Sequence, residues 1–295
     1  MATPLDDVLN QDDPPALLLG NGINQYADSG NASWEDLLNR LAKRRNLILS
    51  TSELREMSNT ERYDILDLAA PNESREDLKG EVRSMMELWH PSEVHARVIK
   101  WASSNQTPIL SMNFDALLGE ASGLEFFGVD ENVYVYPFRA HFAYNQVKNV
   151  RRNFAVWHPH GFIRYKQSIR LGLVDYMGSV SRIESWIKNR RALHNYVEGK
   201  SETWPGQRSW LEAFFFNPMA VIGFGFHKDE TFMRWLFLER ARLHRKYPDI
   251  KRPLWYVARD SERLRHRFPF LKALGMAVVR VGSHRDIYES TAWEA

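Results

Sequence analysis

Four short apolar runs, each ending in glycine or polar residues, stand out along the 295-residue chain. The first is Leu17-Leu18-Leu19, which is followed by Gly20-Asn21-Gly22-Ile23-Asn24. Similar junctions occur at 108–115, 154–161 and 220–225. Apolar runs of this length, bounded by turn residues, predict buried strands of a parallel sheet. Because the carboxyl ends of parallel strands meet at one edge of a sheet, the four junctions predict a ligand-binding edge.

The segments between these runs have helical spacing. Ser33 is a predicted N-cap for a helix that begins at Trp34 and buries Leu37. A later helix begins near 72–76, and its predicted buried side is made of apolar residues at a spacing of three to four: Leu78, Val82, Met85, Met86 and Leu88. Further helices are predicted at 92–103, within 176–214 and after Asp229. Additional strands are predicted at 132–136, 169–174, 254–258 and 277–281.

Strands that alternate with helices predict an α/β fold, with a Rossmann-like, mostly parallel sheet and helices on both faces. We predict a single domain over 1–295. Helix-rich inserts at about 34–106 and 176–214 are expected to form a smaller helical lobe over the ligand edge.

Composition narrows the function classes. The formal net charge is only +2, which gives no reason to expect direct nucleic-acid binding. No apolar stretch approaches the roughly 18 residues needed to cross a bilayer, and the first residues have no basic region typical of a signal peptide. We therefore expect a cytoplasmic protein without a membrane partner. Cysteine is absent, which excludes disulfides, a cysteine nucleophile and a zinc module held by thiolates.

Candidate chemistry lies at the strand ends. Glycines after the first strand would let the backbone approach a ligand and hold phosphate, although a plain turn also explains them because the dinucleotide fingerprint lacks its third glycine. The amide of Asn113 can hydrogen-bond both a ribose hydroxyl and a water, and His160 can accept a proton near neutral pH. Asn113 or Asp115 could instead cap the helix that begins near Ala116.

The two histidines of the third junction allow another interpretation. His158 and His160 alternate along a strand and have a spacing also found in metal sites. Further ligands would have to come from the scattered residues Asp115, His227 and Asp229, so no metal is predicted. His158 could instead be a structural histidine bonded to a neighbouring backbone group, and Asp229 is expected to cap the following helix.

Taken in order, the junctions resemble the sirtuin-like family, in its bacterial NAD-hydrolysing branch rather than its deacylase branch. The first loop is similar to the family's Gly-Ala-Gly-x-Ser, and 33–38 is similar to its Ser-Trp…Leu-Leu. Ser111-Met112-Asn113-Phe114-Asp115 is similar to Thr-x-Asn-x-Asp, and His160-Gly161 to His-Gly. The resemblance continues through Ile222-Gly223-Phe224-Gly225…Asp229 to Leu274-Gly275. The departures are Asn21 for alanine, Asn24 for serine and Ser111 for threonine.

The resemblance implies that Asn113 and His160 are catalytic, with NAD⁺ as the substrate and no further cofactor. It also implies a set of residues that bind the dinucleotide: Gly20, Asn21, Gly22, Asn24, Ser111, Asp115, Gly223 and Gly225. Tyr176 is similar to a family position beside the helical lobe, without an assigned role.

The expected activity is that of an NAD⁺ glycohydrolase, which releases nicotinamide and ADP-ribose and acts in anti-phage defence by depleting NAD⁺. One alternative is a non-catalytic module that binds NAD⁺ or ADP-ribose. A protein deacylase or ADP-ribosyltransferase is disfavoured because the zinc cysteines are missing. Since unrestrained hydrolysis would poison the cell, and no length is left for a sensor domain, we expect a homo-oligomer with a separate activator. In similar systems the activator is an Argonaute-like protein, a translocase-type ATPase or a nucleotide-pyrophosphatase-like subunit.

Overall fold

The computed structural model describes residues 4–27, 33–47, 50, 53, 56–69, 75–128, 138–226, 230–262, 264 and 267–294. Its centre is an eight-stranded sheet. The strands are β1 Ala16–Leu19, β2 Ile109–Ser111, β3 Glu125–Phe127, β4 His141–Ala143, β5 Val156–Trp157, β6 Met219–Ile222, β7 Leu254–Arg259 and β8 Ala277–Val281. Their order across the sheet is β3-β4-β5-β2-β1-β6-β7-β8. In this order, neighbouring strands from β5 through β2, β1, β6 and β7 to β8 pair in parallel. At the other edge, β4 pairs antiparallel with both β3 and β5.

Helices flank this sheet, so the predicted α/β, Rossmann-like fold is confirmed. The α-helices are Asp6–Leu9, Gly22–Ala27, Trp34–Arg44, Asn59–Leu68, Arg75–Met86, Glu93–Ser104, Leu117–Glu120, Leu173–Lys188, Ala192–Val197, Trp210–Phe216, Thr231–Lys246, Phe268–Ala273 and His284–Tyr288. Short 3₁₀ turns occupy Lys166–Ser168, Asn189–Arg191, Pro248–Ile250 and Thr291–Glu294. No helix among the described residues is long and apolar enough to cross a membrane.

The predicted strands of the four junctions are confirmed as β1, β2, β5 and β6, which lie side by side at the centre of the sheet. The predicted strands at 254–258 and 277–281 are confirmed as β7 and β8. The predicted strand at 132–136 lies outside the described residues. All carboxyl ends of the parallel strands therefore meet at one edge, and that edge carries the candidate site.

Strand alternation divides the interior into two apolar cores. In β1, Leu17 and Leu19 join the core on one face, whereas Ala16 and Leu18 join the core on the other. The helices of 34–106 pack into the first core, and those of 173–216 pack into the second. Both faces of β1 are therefore covered, as expected for a strand that is apolar at every position.

Local capping explains where the helix after β1 and its loop begins. The Ser33 hydroxyl accepts a hydrogen bond from the Asp36 N–H at 3.1 Å, and the Asp36 carboxylate accepts one from the Ser33 N–H at 3.2 Å. This reciprocal pair is a capping box, and it fixes the first turn of Trp34–Arg44 as predicted. It also fixes the direction in which Trp34 leaves the helix start.

Two details of the sequence prediction are wrong. Leu88 was placed on the buried side of its helix, but that helix ends at Met86 and Leu88 is 76% exposed. The predicted strand at 169–174 does not form, because a helix begins at Leu173 instead. The carboxylate of Asp175 accepts hydrogen bonds from the N–H groups of Leu171 and Gly172, which organises the first helical turn. Local capping thus overrides an apolar alternation that also suits a strand.

Helices from the two predicted inserts meet each other. Asn59–Leu68 contacts Leu173–Lys188, and the Leu173 N–H donates a hydrogen bond of 3.2 Å to the Asp64 carboxylate. The Lys79 ammonium and the Asp175 carboxylate form a second link of 2.9 Å between the same regions. Both ends of this ion pair are mostly buried, which ties the inserts together beside the site.

Candidate functional site

A cavity of about 530 Å³ opens at the carboxyl edge of the sheet. Its volume falls within the roughly 300–1,000 Å³ that is usual for sites of small molecules and cofactors. The segments after six parallel strands contribute to its wall, together with helices from both inserts. Seven of the residues predicted for the site line this cavity: Gly20, Asn21, Gly22, Asn113, His160, Gly223 and Gly225. One cavity therefore brings together predicted residues from four separate junctions.

Asn24, Ser111 and Asp115 were also predicted to contact the dinucleotide, but they do not line the cavity. All three are buried behind its wall. The Ser111 hydroxyl accepts a hydrogen bond of 3.3 Å from the Asn113 N–H, which shapes the turn after β2. These residues support the loops that carry the cavity-lining groups.

Asn24 and Asp115 belong to a buried chain of hydrogen bonds. The Asn24 side-chain amide donates to the Asp115 carboxylate at 2.8 Å, and its oxygen contacts Nε2 of His95 at 3.0 Å. His95 Nδ1 accepts from the Ser92 N–H at 3.1 Å, so Nε2 carries the proton and donates to Asn24. The chain links the helices Gly22–Ala27 and Glu93–Ser104 to the loop after β2.

The other Asp115 oxygen accepts a hydrogen bond of 3.1 Å from the Leu117 N–H. Asp115 therefore forms a turn just before the helix Leu117–Glu120, whose N-cap residue is Ala116 and not Asp115 as considered from the sequence. Burial nevertheless raises the pKa of this carboxyl to about 6, although the hydrogen bonds from Asn24 and Leu117 oppose the rise. Its ionised form is held by those two donors.

The two histidines of the third junction have different surroundings. Nε2 of His158 donates a hydrogen bond of 3.0 Å to the main-chain oxygen of Asp115, and its ring packs against Phe162. His158 does not line the cavity, whereas His160 does. His158 thus has the structural contacts that the sequence left open, and His160 is the one of the two that lines the cavity.

His160 stands in an aromatic enclosure. Its ring centroid lies 6.3, 5.8 and 5.9 Å from those of Phe114, Tyr176 and Phe232, respectively. Burial lowers the pKa of His160 to about 4, against the effect of a hydrogen bond to the Met112 backbone. The imidazole is therefore neutral near pH 7, and its Nε2 has no hydrogen-bond partner in the part of the chain that the structure describes. Such a nitrogen is available as a proton acceptor.

Asn113 lies directly after β2, between the glycine loop of β1 and the loop that carries His160. It is buried, and its Nδ2 makes a long hydrogen bond of 3.4 Å to the main-chain oxygen of Gly20. That contact directs the amide across the floor of the cavity. A side-chain amide in this position has one oxygen and one remaining N–H for a ligand.

The glycine loops after β1 and β6 touch through their backbones. The Gly22 N–H donates to the Gly223 oxygen at 3.1 Å, and a Cβ on Gly20 would lie 2.3 Å from that same oxygen. Gly223 has φ +65°, and a Cβ there would lie 2.4 Å from the Tyr288 hydroxyl. Glycine is therefore required at these positions because a Cβ would collide with neighbouring protein atoms. A ligand can also approach the backbone closely there.

Charged groups are unevenly distributed along the cavity. Glu35 lines the cavity and forms an ion pair of 3.2 Å with Arg62, and Glu230 lines it just before the helix that carries Phe232, whose ring lies 5.9 Å from that of His160. The end after β7 contains the cationic side chains of Arg259 and Arg267 together with Glu262, Tyr256 and His284. Glu35 and Glu262 each have an arginine partner, whereas Arg259 forms no ion pair among the described residues.

No known family model and no curated protein matches the chain.

Among the described residues, no cluster of three or more histidine, aspartate and glutamate side chains has the arrangement of a metal site. His227 and Asp229, which were considered as metal ligands from the sequence, lie outside the described residues. The predicted capping of a helix by Asp229 therefore concerns a residue that the structure does not describe.

Sequence reasoning missed the whole wall contributed by β7 and β8. Tyr256, Arg259, Glu262, Arg267 and His284 all line the cavity. The available signal was the position of Arg259 at the end of a predicted strand, since strands β7 and β8 were predicted next to β6 in chain order. Their charged ends could have been assigned to the same edge by the rule applied to the four junctions.

Proposed function

We propose that the chain is an NAD⁺ glycohydrolase, which cleaves the bond between nicotinamide and ribose and releases nicotinamide and ADP-ribose. The observation that carries this proposal is the joint placement of Asn113, His160 and the glycine loops on one cavity. An amide, a neutral imidazole and bare backbone are the groups that this reaction needs. The resemblance of the four junctions to sirtuin-like NAD hydrolases agrees with it.

The reaction makes modest demands on the protein. When the C1′–N bond breaks, its electron pair leaves with nicotinamide, which departs neutral from a cationic ring, and the transition state has oxocarbenium character as in glycoside hydrolysis. The oxygen of a water then bonds to C1′. Asn113 would orient that water and a ribose hydroxyl, and Nε2 of His160 would accept the released proton.

The distribution of charge supports one orientation of the substrate. Glu230 lines the cavity before the helix whose Phe232 ring lies 5.9 Å from that of His160, where a cationic nicotinamide ring would be placed, and Arg259 lies at the β7 end. The pyrophosphate would lie against the backbone at Gly20, Gly22 and Gly223, where the absence of Cβ atoms allows close approach. The aromatic rings around His160 would exclude bulk water from the reacting carbon.

The test is whether the purified chain releases nicotinamide from NAD⁺, which chromatography measures. The assay is run with and without proteins that co-purify from its native host. Asn113→Ala should abolish release, whereas Asn105→Ala should leave it intact, because Asn105 caps the far end of Glu93–Ser104 and does not line the cavity. Intact NAD⁺ under every condition would overturn the proposal.

The enclosure of His160 favours a second candidate, a module that binds NAD⁺ or ADP-ribose without hydrolysing it. An imidazole with a pKa of about 4 is a weak base while it stays buried. Tight binding in calorimetry without any nicotinamide release would support this candidate. Transfer of ADP-ribose or of an acyl group to a protein would instead support the deacylase or transferase alternative.

The proposed activity also requires control, because unrestrained hydrolysis would deplete the NAD⁺ of a cell. We include in the proposal a cytoplasmic homo-oligomer that acts in anti-phage defence and is switched on by a separate activator protein. That activator would be Argonaute-like, a translocase-type ATPase or nucleotide-pyrophosphatase-like. Mass measurements across a concentration series test the oligomer, and co-purification tests the activator. A monomer with full activity on its own would contradict both.

A further inference from the structure

The carboxyl end of β7 forms the basic end of the cavity. The segment 259–267 carries four arginines and one histidine against two acidic residues. Among the described residues of this segment, the side chains of Arg259 and Arg267 line the cavity, and His284 lines it from the start of the helix after β8. The concentration of positive charge is local, since the chain as a whole carries a formal charge of only +2.

The carboxylate at this end already has partners. Glu262 forms an ion pair of 3.0 Å with Arg267 and accepts a hydrogen bond of 2.9 Å from the Tyr256 hydroxyl. Arg267 also donates to the main-chain oxygen of Gly225, which joins this loop to the one after β6. Glu262 and Arg267 therefore largely neutralise each other.

Arg259 is different. It is half-buried, and among the described residues it forms no ion pair. It lies close enough to His284 that its positive charge, after burial, lowers the pKa of that imidazole. The Arg280 guanidinium donates to the main-chain oxygens of Arg259 and Glu262 at 2.6 and 3.2 Å, which holds the loop in place. Arg259 thus lines the cavity from an anchored backbone, and its guanidinium has no anionic partner among the described residues.

The position of Arg259 along the sheet is informative. β2, which precedes Asn113, and β7, which ends at Arg259, are separated by β1 and β6. Three strand spacings amount to roughly 14 Å. A dinucleotide extended from Asn113 across the glycine loops would therefore bring its adenosine half to Arg259, beyond the pyrophosphate.

We propose that Arg259 binds a phosphate monoester on the adenosine ribose, so that the site takes the 2′-phosphate of NADP⁺. The inference rests on the proposed function and deepens it by naming the substrate class. In dinucleotide sites a free carboxylate at the adenosine ribose selects the 2′-hydroxyl, whereas an arginine accommodates the 2′-phosphate. Here the carboxylate is engaged and the guanidinium is free, and its planar donors suit a phosphate dianion.

The reaction itself is unchanged by this assignment. The C1′–N bond of the nicotinamide ribose breaks, water supplies the new C1′–O bond, and the proton goes to His160. The products from NADP⁺ are nicotinamide and ADP-ribose 2′-phosphate. The added phosphate stays at the far end and takes no part in bond breaking.

Binding of adenosine 2′,5′-bisphosphate and of ADP, measured by calorimetry, tests the inference without requiring hydrolysis, because neither molecule contains nicotinamide. The wild-type chain should bind the 2′-phosphorylated molecule more tightly. Arg259→Gln should weaken that binding by roughly 10- to 100-fold, the usual worth of a charge-assisted hydrogen bond, and leave ADP binding nearly unchanged. Arg252→Gln is the matched control, since it removes the same charge just before the opposite end of β7.

Retained ADP binding also shows that Arg259→Gln is folded. Equal wild-type affinities for the two molecules would overturn the inference, and so would an equal loss for both in Arg259→Gln, which would assign Arg259 to the 5′-phosphates. If 2′-phosphate selectivity is present but neither NAD⁺ nor NADP⁺ is cleaved under any condition, the proposed hydrolysis fails while the phosphate site stands. If NAD⁺ and NADP⁺ are cleaved with equal kcat/KM, the proposed hydrolysis stands and the proposed 2′-phosphate site fails.

Discussion

The side-chain amide of Asn24 donates a hydrogen bond of 2.8 Å to the carboxylate of Asp115, across 91 positions of sequence. Both groups are buried, and the bond joins the helix after the first glycine loop to the loop that follows Asn113. The bond thereby fixes the first glycine loop and the loop of Asn113 relative to each other, from the side away from the cavity. The relationship explains why an asparagine and an aspartate stand at these positions even though neither faces the cavity.

Asn24→Ala should destabilise the fold by about 2–3 kcal/mol, since it removes a buried hydrogen bond to a charged group and leaves His95 without its acceptor. Urea denaturation measures this as a lower midpoint. Tyr26→Phe is the control on the same helix, because it removes only an exposed hydrogen bond to Glu289 and should cost less than about 1 kcal/mol. Equal losses in the two variants would contradict a supporting role for Asn24.

His160→Ala should lower nicotinamide release by about 10²- to 10⁴-fold, the usual loss for a missing general base. His158→Gln should lower it much less, because His158 lies behind the wall and glutamine can still donate to the Asp115 backbone. Chelators should not change the rate. Equal losses at both histidines that are reversed by added zinc or manganese would instead indicate metal-dependent hydrolysis.

Gly223→Ala should impair both folding and ligand binding, because φ is +65° and the new Cβ would meet the Tyr288 hydroxyl at 2.4 Å. Adding Tyr288→Phe should recover part of the loss by removing that hydroxyl, and the remainder, about 1 kcal/mol, is backbone strain. Thermal unfolding and NAD⁺ binding are the measurements. Gly178→Ala is the control, since no atom lies within 4 Å of its added Cβ. An unaltered Gly223→Ala variant would refute the close contact of the two loops.

Acid should destabilise the fold between about pH 6.5 and pH 4. Burial lowers the pKa of His95, His158 and His160 to about 4, whereas the same groups titrate near 6.5 in the unfolded chain. Their contribution to stability is therefore fully present above pH 6.5 and is lost toward pH 4, by up to about 1.4 kcal/mol per pH unit for each histidine.

Asp115 acts in the opposite direction in part of this range. Its folded pKa is about 6 against an ordinary value of 3.8, so stability is gained as the pH falls between these values. Three histidines outweigh one carboxyl, and the net effect is a loss. Urea denaturation at about pH 7, 6 and 5 measures the slope, which His158→Gln should reduce by about one proton. A free energy of unfolding that is constant over this range would be inconsistent with the buried neutral histidines.

The central strands were predictable because each is a short apolar run that ends in glycine or polar residues, and a parallel strand buried on both faces needs that pattern. The position of Asn24 was not predictable. A residue two positions after Gly22 can face the cavity or the interior, and the choice is made by His95 and Asp115, which are distant in sequence. From the resemblance, Asn24 was expected to contact the ligand. In the structure its side chain binds His95 and Asp115 instead.

The residues after β7 show a different limit. Arg259 and Glu262 carry no glycine signature, and only the strand order places them beside the loop of β6. Conversely, the alternation at 169–174 predicted a strand that Asp175 prevents by capping a helix. The periodicity of apolar residues identified the buried strands and helices, but it did not predict which polar side chains line the same wall of the cavity.

Arg259 has no ion pair among the described residues and places a positive charge at the β7 end of the cavity, whereas Glu230 lines the cavity before the helix that contacts His160, so the electric field varies along the cavity. A molecule with a positive head and a negative tail that enters such a field experiences a torque before it makes any specific contact. Reversed entry would bring the positive head against Arg259. Alignment by this field would be weakened by added salt, since dissolved ions shorten its reach to about 10 Å or less. The order of events would then be rotation first and close contact with the backbone floor second.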